Sequence, residues 1–218
     1  MATPIGHALA GYMVYSVNTE KRADKWALLW VCLLLAVAPD LDFLPGLLLG
    51  QPDLYHQGIS HSLGLAAVIA FAAALVYRRS QGILGANWVR FFAAYTSHLV
   101  IDMLGPDRRP PYGIPLFWPV SDEYYLAPFS LFPGVRHGGG TSTTALKWIT
   151  ALFNPYNFEA IAIEVAVMLV IIGLVQYLQG LWSMRRLVAS EVMRGSSERT
   201  LVSWMSGKHS GKGGSCTH

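Results

Sequence analysis

The stretch AIAIEVAVMLVIIGLVQYLQGLW, residues 160–182, decides the class of fold. It contains a single charged side chain, the carboxylate of Glu164. A helix that crosses a bilayer needs about 20 consecutive apolar residues. Lipid offers no hydrogen bonds to backbone groups, so an open-ended crossing segment must be helical. The stretch therefore predicts a transmembrane helix.

Four more apolar segments precede this one, at residues 4–17, 26–45, 62–77 and 88–104. The whole chain is 53% hydrophobic and 13% charged, whereas soluble domains carry about 25% charged residues. The first segment is short for a crossing helix and is interrupted by glycines. We therefore predict an all-α, multi-pass transmembrane bundle with four to five membrane segments, formed by residues 1–184.

Lysine and arginine positions predict the orientation, because basic residues concentrate in cytoplasmic loops. They lie between the first and second segments, between the third and fourth, and after the fifth. The N-terminus is then expected outside and the C-terminus in the cytoplasm. The loop 105–159, rich in proline, glycine and aromatic residues, lies outside, although it carries four basic residues beside four acidic ones. The basic tail 185–218 has the composition of a disordered segment.

Four short motifs place ionisable residues beside these segments. They are PIGH at 4–7, PDLD at 39–42, HQGISHS at 56–62 and SHLVID at 97–102. The alternating topology puts all four motifs at the outer ends of their segments. Ionisable groups in or beside membrane segments are costly and therefore indicate function. We expect the motif residues to meet at one outward-facing site.

Spacing within the motifs indicates metal binding. His98 and Asp102 are four residues apart on a predicted helix and share one face, as paired ligands do in helical zinc sites. Asp40 and Asp42 either bridge two ions, or one is a ligand and the other a hydrogen-bond acceptor behind it. Imidazole and carboxylate ligands together suit zinc, with iron or manganese as alternatives, better than calcium or magnesium.

Each motif alone has an ordinary explanation, such as an interfacial histidine, a Pro-Asp helix stop, a solvated loop or a structural hydrogen bond. Their combination favours a site for one to three divalent ions. The predicted ligands are His7, Asp40, His61, His98 and Asp102. Asp42 and His56 are predicted as further ligands or as the general base.

Together the motifs resemble those of the YdjM-like group of bacterial and archaeal membrane-bound metal-dependent hydrolases. The similarity covers about residues 1–135 and includes GIPLFWP at 113–119. The His-x3-Asp element is also similar to that of zinc-dependent phospholipase C. The resemblance implies a hydrolase of a prokaryotic inner or plasma membrane.

The expected reaction is attack by a metal-activated water on a phosphoester or ester of a membrane lipid or lipid-linked molecule. Arg108 and Arg109 follow the His-x3-Asp motif closely and could hold a phosphate, or they could anchor the chain at the interface. Two alternatives stay open: a single-zinc amidase or acyl-ester hydrolase, and a non-catalytic metal-binding scaffold or transporter component. The net charge of +3, without a basic stretch interleaved with aromatic residues, argues against a nucleic-acid partner.

Overall fold

The structure is a computed structural model that describes residues 2–17, 24–81, 85–107, 110–136 and 145–209. The α-helices within these ranges are α1 (Pro4–Ser16), α2 (Lys25–Val37), α3 (Phe43–Leu48), α4 (Leu63–Gln81), α5 (Gly85–Met103), α6 (Ala145–Leu152) and α7 (Pro155–His209). Two short 3-10 helices, Ala38–Asp42 and Ile59–His61, precede α3 and α4. The described residues contain no strand beyond an isolated bridge between Ile114 and Tyr125. The prediction of an all-α fold is confirmed.

Local sequence explains where α1 begins and where α2 ends. The hydroxyl of Thr3 accepts a hydrogen bond from a backbone N–H in the first turn of α1. Pro4 follows at the first helical position, where its missing N–H costs nothing. Helix α2 ends at Val37 because Pro39 has no N–H to continue the helical ladder. The chain tightens there into the 3-10 helix that carries Asp40.

Helices α1, α2, α4 and α5 form the buried core, and small residues allow them to pack closely. Ala66, Ala70 and Ala74 recur every four residues along α4 and are fully buried. A Cβ atom added at Gly11 of α1 would stand 2.7 Å from the backbone carbonyl oxygen of Cys32 in α2. The two helices therefore approach each other too closely for a side chain, as small residues permit in membrane helix pairs.

Within the part of the chain that the structure describes, two helical stretches are long and apolar enough to cross a membrane, Lys25–Leu48 and Pro155–Arg186. Helix α4 contributes a shorter apolar stretch, Leu63–Arg78. The 13 residues of α1 extend about 20 Å, less than the roughly 30 Å of a bilayer core. Helix α1 is thus too short to cross alone as a straight helix.

Two regions differ from what composition predicts. The predicted loop 105–159 contains α6 and the first turn of α7. The predicted disordered tail 185–218 is helical as far as His209, because no proline interrupts α7 and helix extension costs far less than nucleation. Residues 210–218 lie outside the described residues. The chain divides into two compact units, Met1–Gly173 and Leu174–His218, and the core and the candidate site belong to the first.

Candidate metal centre

Histidine and aspartate side chains from four separate elements meet in the first unit. His7 lies on α1, Asp40 in the 3-10 helix after α2, and His61 at the end of the 3-10 helix before α4. His98 and Asp102 both lie on α5. The three imidazoles are fully buried, and Asp102 is 2% exposed. The structure therefore brings together the five residues that the sequence predicts as ligands.

Asp102 lies at the middle of this cluster. Its Oδ2 is 3.2 Å from His98 Nε2 and 3.3 Å from His61 Nε2. Its Oδ1 is 3.4 Å from His7 Nε2. Asp40 Oδ1 is 3.5 Å from His98 Nε2 and 4.0 Å from His61 Nε2. Three Nε2 atoms and two carboxylates thus point toward one small volume.

The spacing of these atoms is that of ligands around a shared ion. Zinc binds nitrogen and oxygen at about 2.0–2.2 Å, so two ligand atoms of a tetrahedral site are roughly 3.3 Å apart. The distances around Asp102 cluster at this value. The Nε2 atoms of His61 and His98 are also only 3.2 Å apart. Two ring nitrogens at this separation need a proton or a cation between them, because two lone pairs would repel each other.

A hydrogen bond on the far side of the His98 ring fixes how this ring faces the centre. His98 Nδ1 lies 2.8 Å from the carbonyl oxygen of Ala36. A carbonyl only accepts, so Nδ1 carries the hydrogen and a neutral His98 directs its Nε2 lone pair inward. His7 stacks on the same ring at a centroid distance of 3.6 Å. Such outer contacts orient metal-binding histidines and raise their basicity.

Asp42 lies behind two other imidazoles. Its Oδ1 is 2.8 Å from His56 Nδ1, and its Oδ2 is 3.3 Å from His61 Nδ1. The hydroxyl of Ser60 donates to the same Oδ2 at 2.6 Å. Burial opposes protonation of His61, but contacts with Asp102 and Asp42 outweigh it and raise the pKa of this imidazole. A bound cation would compete for the site that this proton occupies.

Several buried polar atoms in the cluster have no hydrogen-bond partner. Both ring nitrogens of His7, Oδ1 of Asp40, Oδ2 of Asp102 and Nε2 of His56 are in this state. A buried polar group without a partner costs about 1–3 kcal/mol, so native proteins seldom leave several of them side by side. A divalent ion would satisfy them together, and the donor set therefore fits a metal.

Among the described residues, two groups of side chains could hold a metal ion, and they share Asp40. In the first, one atom each from His7, Asp40, His98 and Asp102 lies within 4.8 Å of the others; in the second, the same limit holds for Asp40, His56 and His61. Asp42 belongs to neither group. Its contacts with His56, His61 and Ser60 suit an acceptor behind these imidazoles, and its predicted roles as a further ligand or the general base stay predictions. The groups are able to hold a metal ion, and their chemistry does not by itself fix which metal.

Glu164 of α7 holds the N-terminal segment against the site. This buried carboxylate accepts hydrogen bonds from the backbone N–H and the hydroxyl of Thr3. The backbone N–H of Ala2 donates to Asp102 Oδ1 at 3.2 Å. The sequence predicts a helix–helix hydrogen bond for Glu164 or a place near the site mouth. The structure pairs it with Thr3 at the N-cap of α1, so these hydrogen bonds link α7 to the helix that carries His7.

A cavity of about 890 Å³ borders the site. Asp42, His56 and Ser60 line one part of it, and Arg136 and Tyr156 line another. In the sequence, Arg136 is one of four basic residues in the loop 105–159, and the surrounding proline and glycine residues show no periodicity that would place it. The Arg136 guanidinium lies over the ring of Tyr156. The two residues are 20 positions apart, and the sequence gives no sign of this contact.

Arg108 and Arg109, the predicted phosphate-binding residues, lie outside the described residues. Their described neighbours Asp107 and Pro110 both line the cavity.

Residues 1–183 match the sequence model of the family described as YdjM inner membrane protein. The match includes every candidate ligand. No curated protein and no solved structure matches the chain.

Proposed function

We propose that this chain, which belongs to the YdjM inner membrane protein family, is a metal-dependent hydrolase of a phosphoester or ester in a lipid or lipid-linked substrate. The observation that carries the proposal is the buried cluster around Asp102. Its ligand atoms lie 3.2–3.4 Å from the Asp102 oxygens, and several of them have no hydrogen-bond partner. Buried charges without partners cost a membrane protein free energy, and a bound cation would offset this cost.

The donor set would suit two ions, zinc before iron or manganese, and Asp40 belongs to both groups of possible ligands. His7, His98 and Asp102 complete the first group, and His56 and His61 complete the second. Mixed imidazole and carboxylate ligands favour these metals over calcium and magnesium. When bound, such ions supply a Lewis acid and lower the pKa of a coordinated water toward neutrality.

The residues of the chain have separate tasks in this proposal. The Ala36 carbonyl and Asp42 orient His98 and His61, so that both Nε2 atoms face Asp102 and would be able to hold an ion there. His56 lines the cavity, its Nδ1 is held by Asp42, and its Nε2 has no hydrogen-bond partner. This pairing makes His56 a ligand, or a base at the cavity wall, and makes Asp42 its positioning residue.

The cavity supports catalysis over a purely structural metal site. Structural zinc sites are closed by four protein ligands, whereas catalytic sites keep a position open. Here a cavity large enough for a small ligand begins at Asp42, His56 and Ser60. An amide or acyl ester could occupy the same cavity, and the substrate panel in the test below separates these reactions.

The membrane arrangement in the proposal has four to five segments, with the N-terminus outside and the C-terminus cytoplasmic. Helix ends support it. His7 lies near the start of α1, Asp40 directly after α2, His61 just before α4, and His98 near the end of α5. In alternating helices these ends lie on one side, and they do meet in one cluster. The setting of the site in a membrane protein is the reason for proposing a lipid or lipid-linked substrate.

The test begins with the metal content of the detergent-purified protein, measured by elemental analysis. Wild type is compared with the double variant His98→Ala/Asp102→Ala, with the conservative variant Asp102→Asn, and with Ser97→Ala, whose hydroxyl bonds only within α5. Stoichiometric zinc, iron or manganese in wild type and Ser97→Ala, lost in the others, supports the site. Hydrolysis of phospholipids, acyl esters or amides in mixed micelles should then fall about a hundredfold or more in both site variants. Folded wild type without metal after reconstitution would contradict the proposal.

A further inference from the structure

The cavity beside the site contains one described basic residue, Arg136. Its guanidinium lies over the ring of Tyr156, with Cζ 3.7 Å from the ring centroid. Arg136 and Tyr156 both line the cavity. Within the described residues, Arg136 makes no ion pair with a carboxylate, so its charge is not neutralised by the protein.

Two hydrogen bonds hold the backbone of Arg136, although this residue lies in an irregular segment. Its N–H donates to Asn157 Oδ1 at 2.8 Å, and its carbonyl oxygen accepts from Asn157 Nδ2 at 2.7 Å. Asn157 is 3% exposed and belongs to α7. Both ends of the residue, backbone and guanidinium, are thus fixed against the start of α7. A positioned guanidinium loses less entropy when it binds a ligand than a free one would.

We infer that Arg136 binds the phosphate of a phosphate-bearing head group in this cavity, next to the metal centre. The inference rests on the proposed function and names its substrate class. A planar guanidinium offers paired N–H donors that match two phosphate oxygens. The cavity volume of about 890 Å³ lies within the range of small-ligand pockets, which suits a head group rather than a whole lipid.

The acidic residues of the same cavity do not contradict this assignment. Asp42 directs its oxygens at His56, His61 and Ser60. Asp107 accepts a hydrogen bond from the backbone N–H of Gly113 at 2.6 Å. Asp42 and Asp107 are therefore engaged within the protein, while the guanidinium keeps N–H donors for a ligand.

The test measures phosphate binding to the full-length chain in detergent, after removal of unbound metal. The probes are inorganic phosphate and dihexanoyl phosphatidic acid, a soluble short-chain lipid, titrated by calorimetry. Arg136→Gln should raise Kd about fivefold or more, and Arg136→Lys should raise it less, because lysine keeps the charge without the paired donors. The matched control is Arg186→Gln. Arg186 makes the same stacking, 3.7 Å from the ring centroid of Trp182, but does not line the cavity.

The outcomes are distinct. Weaker binding of either probe by Arg136→Gln, with Arg186→Gln unchanged, upholds the role of Arg136. A loss limited to the lipid probe assigns the site to a lipid head group, and a loss limited to inorganic phosphate assigns it to the free ion. Kd values within twofold of wild type for both probes overturn the inference, as does an equal loss in Arg186→Gln. Metal content is read on the same samples, so failure of the proposed function is seen separately from failure of the phosphate site.

Discussion

The contacts of Asp42 lead to a quantitative prediction for Asp42→Asn. The carboxylate accepts from His56 and Ser60 and lies 3.3 Å from His61 Nδ1. Asparagine keeps one acceptor oxygen and replaces the other with an NH2 donor, which would face an N–H or a hydroxyl. One imidazole then loses its orienting partner. Loss of such an outer contact typically weakens metal binding about 10- to 100-fold, or roughly 1.4–2.7 kcal/mol.

The assay is competition for zinc between the purified protein and a chromophoric chelator, with Asp122→Asn as control because that side chain is exposed. We expect Asp42→Asn to keep the wild-type number of ions at saturating zinc while its affinity falls. An affinity within twofold of wild type would refute the orienting role. Loss of one full metal equivalent at saturation would show instead that Asp42 is itself a ligand.

Two further substitutions test how the site is held. Thr3→Val removes the hydroxyl that caps α1 and donates to Glu164. It should lower the free energy of unfolding by about 2 kcal/mol and weaken zinc binding through His7. The control Thr150→Val removes an exposed hydroxyl bonded within α6 and should change the free energy of unfolding by no more than about 0.5 kcal/mol; equal losses in the two variants would contradict the role of Thr3 in holding α1. Gly11→Ala would place its Cβ 2.7 Å from the Cys32 carbonyl oxygen and should lower the free energy of unfolding by about 1–3 kcal/mol. In the control Gly173→Ala the added Cβ has open space around it, so this change should be neutral or stabilising. Denaturant titration in detergent measures both variants, and a neutral Gly11→Ala would argue against close packing of α1 on α2.

Much of the His/Asp cluster could be predicted because its assembly follows local rules. The spacing of His98 and Asp102 places them on one helix face, and their Nε2 and Oδ2 atoms are 3.2 Å apart. The meeting of His7, Asp40 and His61 with that pair follows from alternating helices, whose ends gather on one side. The part of α7 over residues 160–182 could also be predicted, because an apolar run of that length is long enough to cross a membrane as a helix.

The contacts that tune the site could not be predicted, because they join distant and irregular segments. Glu164 and Thr3 are 161 positions apart in sequence, and a carboxylate in an apolar helix gives no sign of its partner. Arg136 lies in a segment without periodicity, so that its place at the cavity depends on the backbone bonds to Asn157. Asp40 and Asp42 have different contacts because the 3-10 helix that contains them turns the two carboxylates toward different imidazoles.

Charge balance connects the metal centre with the substrate proposed for it. Asp40, Asp42 and Asp102 bring three negative charges into a largely buried cluster of neutral or shared-proton histidines. Two divalent ions would reverse the sign and leave a net charge of about +1, and Arg136 adds another positive charge at the cavity wall. A site with this balance attracts an anion, whereas the metal-free cluster repels one. Phosphate binding should therefore strengthen with metal occupancy, and binding that is equally tight after complete chelation would show that the ions do not set the charge of the cavity.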